Sequence, residues 1–163
     1  MRIYIIGISG MLGSKLFEEF LKNPNFIVRG SSRKIPNKFL KYKKYIDKKS
    51  DAFKIQTHLK NIKKFKPEVV INCIGIIKQK IKKKLEHKNI FYLNSIFPYE
   101  LYKITSKCNS KLIHFSTDCV FDGMAGNYNE SHPPNSKDLY GFSKMLGELN
   151  YKNSLTLRTS IIG

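Results

Sequence analysis

Seven residues near the N-terminus, Gly7-Ile-Ser-Gly-Met-Leu-Gly13, constrain this chain more than any other stretch. They follow a continuous apolar run, Ile3-Tyr-Ile-Ile6, which is what a strand buried on both faces requires. Behind them, from Met11 to Lys22, Leu12, Leu16 and Phe20 recur on one helical face with Phe17 and Leu21 beside them. Asn23-Pro24-Asn25 stops that helix. A glycine-rich turn between a first strand and a first helix is a seat for phosphate. A side chain there would block the backbone's approach, and the helix start offers free N–H groups and a positive dipole end. Gly7, Gly10, Met11, Leu12 and Gly13 are therefore expected to hold the diphosphate of a dinucleotide.

The remainder of the chain alternates between the same two patterns. Phe26-Ile27-Val28 starts a second strand, a short third ends at Tyr45-Ile46, and Ile55, Leu59 and Ile62 mark a helix closed by Lys66-Pro67. Val69-Val-Ile-Asn-Cys73 reads as the central strand. A long helix from Asn89 to Lys107 follows, with Pro98 as its kink. Lys111 to Phe115 is a fifth strand, Leu139 to Asn150 a helix, and Leu155 to Arg158 a sixth strand. Six such alternations predict an α/β chain, a Rossmann-type doubly wound parallel sheet with right-handed crossovers, filling residues 1–163 as one NAD(P)-binding domain.

The end of the second strand bears on the choice of cofactor. A site for NAD places Asp or Glu there for the ribose 2′-hydroxyl. Between Phe20 and Ile46 there is no acidic residue, and the chain offers Ser31, Ser32 and Arg33 instead, groups suited to a 2′-phosphate. NADP(H) is preferred on this reading and NAD(H) is the alternative.

Charge could suggest a different function. The formal net charge is +18, with thirteen Lys/Arg against two Asp between Arg33 and Lys66 and a second basic run from Lys78 to Lys88. Phe39, Tyr42 and Tyr45 lie among these lysines as candidate base-stacking residues. Only four of the thirty cations are Arg, and specific nucleic-acid contacts lean on Arg forks, so a solvated surface is the preferred reading. No apolar run reaches bilayer length and the N-terminus lacks signal-peptide organisation, so no membrane partner is expected. Three widely spaced cysteines, Cys73, Cys108 and Cys119, form neither a disulfide framework nor a metal pattern, which fits a reducing cytoplasm and no metal.

The chemistry is expected at Tyr140-Gly-Phe-Ser-Lys144, whose i, i+4 spacing puts phenol and ammonium on one helical face. A nearby ammonium favours the phenolate, and a tyrosine so tuned can pass a proton to a carbonyl oxygen as hydride arrives. Upstream, a strand ending in Ser116-Thr117 would bring the Thr117 hydroxyl to the carboxyl edge of the sheet, where doubly wound folds bind ligands.

Together these strings resemble the extended short-chain dehydrogenase/reductases, most nearly the sugar-nucleotide reductase branch containing dTDP-4-dehydrorhamnose reductase. The motifs are Gly7–Gly13, Val69–Gly75, Ser116–Gly123, Tyr140–Lys144 with Gly147-Glu148, and Leu157–Ser160. The resemblance implies a catalytic set of Thr117, Tyr140 and Lys144, with Tyr140 and Lys144 also at the cofactor and Lys144 bonding the nicotinamide ribose. It places Asp47 near the adenine and Cys73, Ile74 and Gly75 against the cofactor's middle. The activity implied is NADP(H)-dependent reduction of a nucleotide-activated 4-keto-6-deoxy sugar, in deoxysugar and surface polysaccharide biosynthesis. Cys119 stands where that branch often has Tyr, which bears on the substrate. The family carries a further substrate lobe, so the chain is expected to be incomplete at its C-terminus. A nucleotide sugar is the expected partner and a second copy of the chain a further candidate. Two alternatives use the same motifs: an epimerase or dehydratase with bound NAD, and a non-catalytic regulatory or binding subunit.

Overall fold

The computed structural model of the chain describes residues 1–81 and 87–160. Residues 82–86 of the second basic run and the closing Ile161-Ile162-Gly163 lie outside the described residues. The chain runs through β1 (Arg2–Ile6), α1 (Met11–Lys22), β2 (Ile27–Ser31), a 3-10 stretch (Asn37–Tyr45), β3 (Ile46–Asp47), α2 (Ile55–Phe65) and β4 (Val69–Asn72). It continues through α3 (Lys78–Ile81), α4 (His87–Phe91), a π-helical turn (Tyr92–Ile96), α5 (Phe97–Lys107), β5 (Lys111–Thr117), α6 (Leu139–Met145) and β6 (Ser154–Thr159).

All six strands are parallel, in the order β3-β2-β1-β4-β5-β6. The chain builds outward from β1 to one edge, then crosses over to β4 and builds toward the other. The crossover leaves a crevice beyond the carboxyl ends of β1 and β4, the place where such sheets take ligands. Alternating strand residues feed two cores. Tyr4, Ile6, Val70 and Leu112 meet Ile62, Phe97 and Leu101 on one face. Ile3, Ile5, Val28 and Ile71 meet Phe17 and Phe39 on the other. A fully buried side chain of this size contributes about 1.5–3 kcal/mol, so the two layers fix the sheet between its helices.

Four details depart from the sequence reading. Phe39 is no base-stacking residue: it is 1 % exposed and meets Phe17 edge-on, ring centroids 5.1 Å apart. The third strand is the pair Ile46–Asp47, and Tyr45 closes the 3-10 stretch before it. Pro98 has no N–H for the Asn94 carbonyl, and a π turn precedes it, with the Phe97 N–H reaching back to the Tyr92 carbonyl. The helix expected to run to Asn150 ends at Met145. Beyond its end Gly147 packs closely on Asn94, where a Cβ would overlap the carbonyl oxygen. The backbone turns off through Gly147 N–H to Lys144 O (3.0 Å) and Glu148 N–H to Met145 O (3.1 Å).

Candidate active site

A cleft of about 430 Å³ opens at the crossover. Gly10, Met11 and Leu12 form one side, Cys73, Ile74 and Gly75 the floor, and Thr117, Tyr140 and Lys144 the far side. The cradle is built from the backbone outward. Gly7 has φ +90°, which L side chains rarely adopt, and a Cβ on Gly13 would run into the Gly7 carbonyl. The turn thus closes only with glycine at both positions. Gly10 caps α1 with no side-chain hydrogen bond, and the first turn carries no acidic residue. With glycine at the cap and no acid in the first turn, the helix start is suited to an anion, and the residues present fit a dinucleotide.

At the far side, α6 starts where the Asp138 carboxylate accepts from the N–H groups of Tyr140 (2.9 Å) and Gly141 (3.1 Å). Gly141 lets the helix approach closely, since a Cβ there would overlap the Cys119 carbonyl and the Ser136 side chain. Tyr140 and Lys144 follow one turn apart. The expected downward shift of the phenol does not occur. Burial raises Tyr140 above its ordinary value, the nearby Thr117 hydroxyl lowers it in part, and Cys119, Asp118 and Asp138 push it up. Lys144 is the group that moves down, to about 8, because burial penalises its charge more than Glu148 favours it. Its ammonium donates to the Phe115 carbonyl at 2.6 Å. Thr117 donates to Asp118 Oδ1 at 3.0 Å and accepts from the Cys119 N–H at 3.2 Å.

Beneath these groups lies a polar network that the motifs did not reveal. Asn94, fully buried, accepts from the Ile76 N–H (2.7 Å) and donates to the Ile76 carbonyl (3.1 Å) and to Ser143 Oγ (3.0 Å). Ser143 in turn donates to the Tyr140 carbonyl at 2.8 Å. One amide thus ties the floor loop to the helix bearing Tyr140 and Lys144. Asn72, at the end of β4, accepts from the Ile74 N–H at 3.1 Å and meets His114 Nδ1 at 3.1 Å. Since the amide nitrogen is the donor, His114 Nδ1 is the acceptor and the ring is neutral. Burial and the nearby Lys144 charge hold His114 well below its ordinary range, in agreement. An Asn closing an apolar strand and an Asn inside an apolar helix were the available signals.

The carboxyl end of β2 differs, and Ser31, Ser32, Arg33 and Asp47 are not among the residues that line the cleft. Ser31 and Ser32 are 1 % and 3 % exposed, and the Ser32 hydroxyl donates to the Lys34 carbonyl, so neither presents a free hydroxyl surface. Arg33 alone of the three is exposed. Asp47 is engaged by Arg29, at 2.7 Å and 3.1 Å to one carboxylate oxygen, and by the Tyr4 hydroxyl at 3.0 Å to the other. Asp47 thus bridges β1, β2 and β3, with its adenine role an expectation only. Cys73 lies in the floor, and burial pushes its thiol up to about 12, so it is an inert wall. No helix among the described residues is long and apolar enough to cross a membrane.

Comparison with known proteins agrees with this fold. The family model described as the RmlD substrate binding domain matches residues 1–162. Methionine adenosyltransferase 2 subunit beta of Xenopus tropicalis is 30% identical over 166 residues, covering 99% of this chain and 47% of that protein. Among solved structures, a hypothetical dTDP-4-dehydrorhamnose reductase from Sulfolobus tokodaii is 30% identical with a TM-score of 0.79, covering 97% of this chain and 55% of that one. A dTDP-4-dehydrorhamnose reductase from Bacillus anthracis, in complex with NADP, is 27% identical with a TM-score of 0.71, covering 90% and 47%. The chain spans about half the length of the curated relatives it matches.

Proposed function

This chain belongs to the RmlD substrate binding domain family, and on that premise we propose that it serves an NADP(H)-dependent reductase of a nucleotide-activated 4-keto-6-deoxy sugar. One observation carries the reading: a single cleft joins a phosphate cradle to Thr117, Tyr140 and Lys144. A bound nicotinamide supplies the hydride. The protein's own groups do the rest. Tyr140, held protonated by burial, donates its phenolic proton to the carbonyl oxygen as the alcohol forms. The nearby Thr117 hydroxyl lowers the phenol's value and so favours release of that proton. Lys144, charged at neutral pH with a value of about 8, turns from the Phe115 carbonyl toward the ribose hydroxyls and the phenol. Asn94 keeps the two walls in register.

The preference for NADP(H) rests on the exposed Arg33 and on the lack of an acidic residue between Phe20 and Ile46. The likeness to the Bacillus anthracis reductase, which holds NADP, supports it. The test follows NADPH oxidation by the full-length protein with a dTDP-4-keto-6-deoxy sugar. Tyr140→Phe should abolish turnover and leave NADPH affinity nearly unchanged, and a variant with near-normal turnover would overturn the mechanism. The 30% identity to a methionine adenosyltransferase subunit favours a second reading, a regulatory subunit on the same fold. NADPH binding by the wild type with no reduction of any keto-sugar nucleotide would support that reading.

A further inference from the structure

We propose that Lys78 receives the diphosphate of the nucleotide-linked substrate, exchanging its contact with Asp138 for the phosphate oxygens. The proposal rests on the reading of the cleft as a sugar-nucleotide site, and it assigns the group that would hold the substrate's charge.

Among the described residues two cations line the cleft, Lys78 and Lys144. Lys144 is buried and, on the reading above, serves the cofactor ribose and the phenol, so it is unavailable to a second, outer anion. Lys78 stands at the mouth, its side chain 58% exposed. It leaves a fixed base. Two residues earlier, Asn94 grips both the N–H and the carbonyl of Ile76, so the backbone that launches the lysine is clamped. Its present partner is a weak one. The ammonium lies 3.8 Å from Asp138 Oδ2, beyond hydrogen-bond distance, and the carboxylate is itself 43% exposed. Nor does Asp138 depend on Lys78: it already accepts from the Tyr140 and Gly141 N–H groups and from the Ser136 hydroxyl. A diphosphate offers more charge and more acceptor oxygens than a shared carboxylate, so exchange is favoured.

Position separates the two diphosphates that a reductase of this kind meets. The cofactor's belongs at Gly10, Met11 and Leu12, at the start of α1. Lys78 instead faces the start of α6, two residues from Tyr140, the side on which the keto group must lie for proton transfer.

The test is calorimetric titration of dTDP into the NADPH-saturated full-length protein, beside titration of NADPH alone. Lys78→Ala should weaken dTDP binding about tenfold, the loss of one charge-assisted contact, and leave NADPH binding unchanged. Lys78→Arg should restore most of the affinity. Asp138→Asn keeps the helix cap and removes the competing charge, so it should bind dTDP at least as tightly as the wild type. Unchanged dTDP affinity in Lys78→Ala would overturn the proposal. So would a loss confined to NADPH, or parallel weakening by Lys78→Ala and Asp138→Asn, the mark of a structural strap. If dTDP binding depends on Lys78 while no keto sugar is reduced, the site stands and the reductase reading falls.

Discussion

The cleft and the carboxyl end of β2, whose residues do not line it, use their polar groups in opposite ways. At the reacting end, Thr117, Tyr140 and Lys144 line the open space, while Asn94 and Ser143 support them from beneath. At the β2 end, Asp47 is engaged by Arg29 and Tyr4, and Ser31 and Ser32 are buried, which leaves Arg33 exposed. Side chains aimed at a ligand should act on turnover when altered. Side chains aimed at the protein should act on stability, whatever their motif suggests.

Lys144→Met should show the largest effect, a loss of turnover of about a hundredfold or more, because it removes a charge beside the proton donor. Stability should move the other way. The folded-state value of about 8 lies below the ordinary 10.5, so the buried charge costs about 3 kcal/mol at every pH below 8. That cost is relieved as pH rises from 8 toward 10.5. Denaturant titrations at pH 7 should find the variant more stable by about 2 kcal/mol, allowing about 1 kcal/mol for the lost bond to Phe115. Wild-type stability should show a rise from this group over that alkaline window, and the variant should not.

Asp47→Ala sharpens the contrast from the other end. Removing a half-buried carboxylate that holds Arg29 and Tyr4 should cost about 2–3 kcal/mol of unfolding free energy, with NADPH affinity little changed in the folded protein. A large loss of affinity with intact stability would make Asp47 a ligand-facing residue and erase the difference between the ends. Arg33→Ala should shrink the preference for NADPH over NADH about tenfold by calorimetry, the worth of one charge-assisted bond. Thr117→Val should cost only several-fold in kcat, since it removes about 1 kcal/mol of hydrogen bonding and no transferred proton.

What could be read in advance was whatever local spacing determines. The bounds Met11–Lys22 of α1 follow from apolar periodicity between a glycine cap and Asn23-Pro24. Tyr140 and Lys144 share a face because i, i+4 residues on a helix must. The missed features depend on partners remote in the chain. Helix α6 stops short beside Gly147, which packs on the Asn94 carbonyl, a contact not local to the Tyr140 motif. The fate of Asp47 depends on the register that sets Ser31 beside it and Arg29 within reach. Asn94 looks like one polar residue in an apolar helix until Ile76 and Ser143 close around it. The shift of Tyr140 also has the opposite sign, because burial dominates it and Lys144 is not among the groups that act on it.

The most direct test measures both ends in one preparation: NADPH affinity and keto-sugar turnover for wild type, Tyr140→Phe and Arg33→Ala. The account predicts a crossed result. Tyr140→Phe should keep NADPH affinity and lose turnover, while Arg33→Ala should lose affinity and keep kcat at saturating NADPH. Turnover that survives in Tyr140→Phe, or a kcat that collapses in Arg33→Ala at saturation, would contradict it.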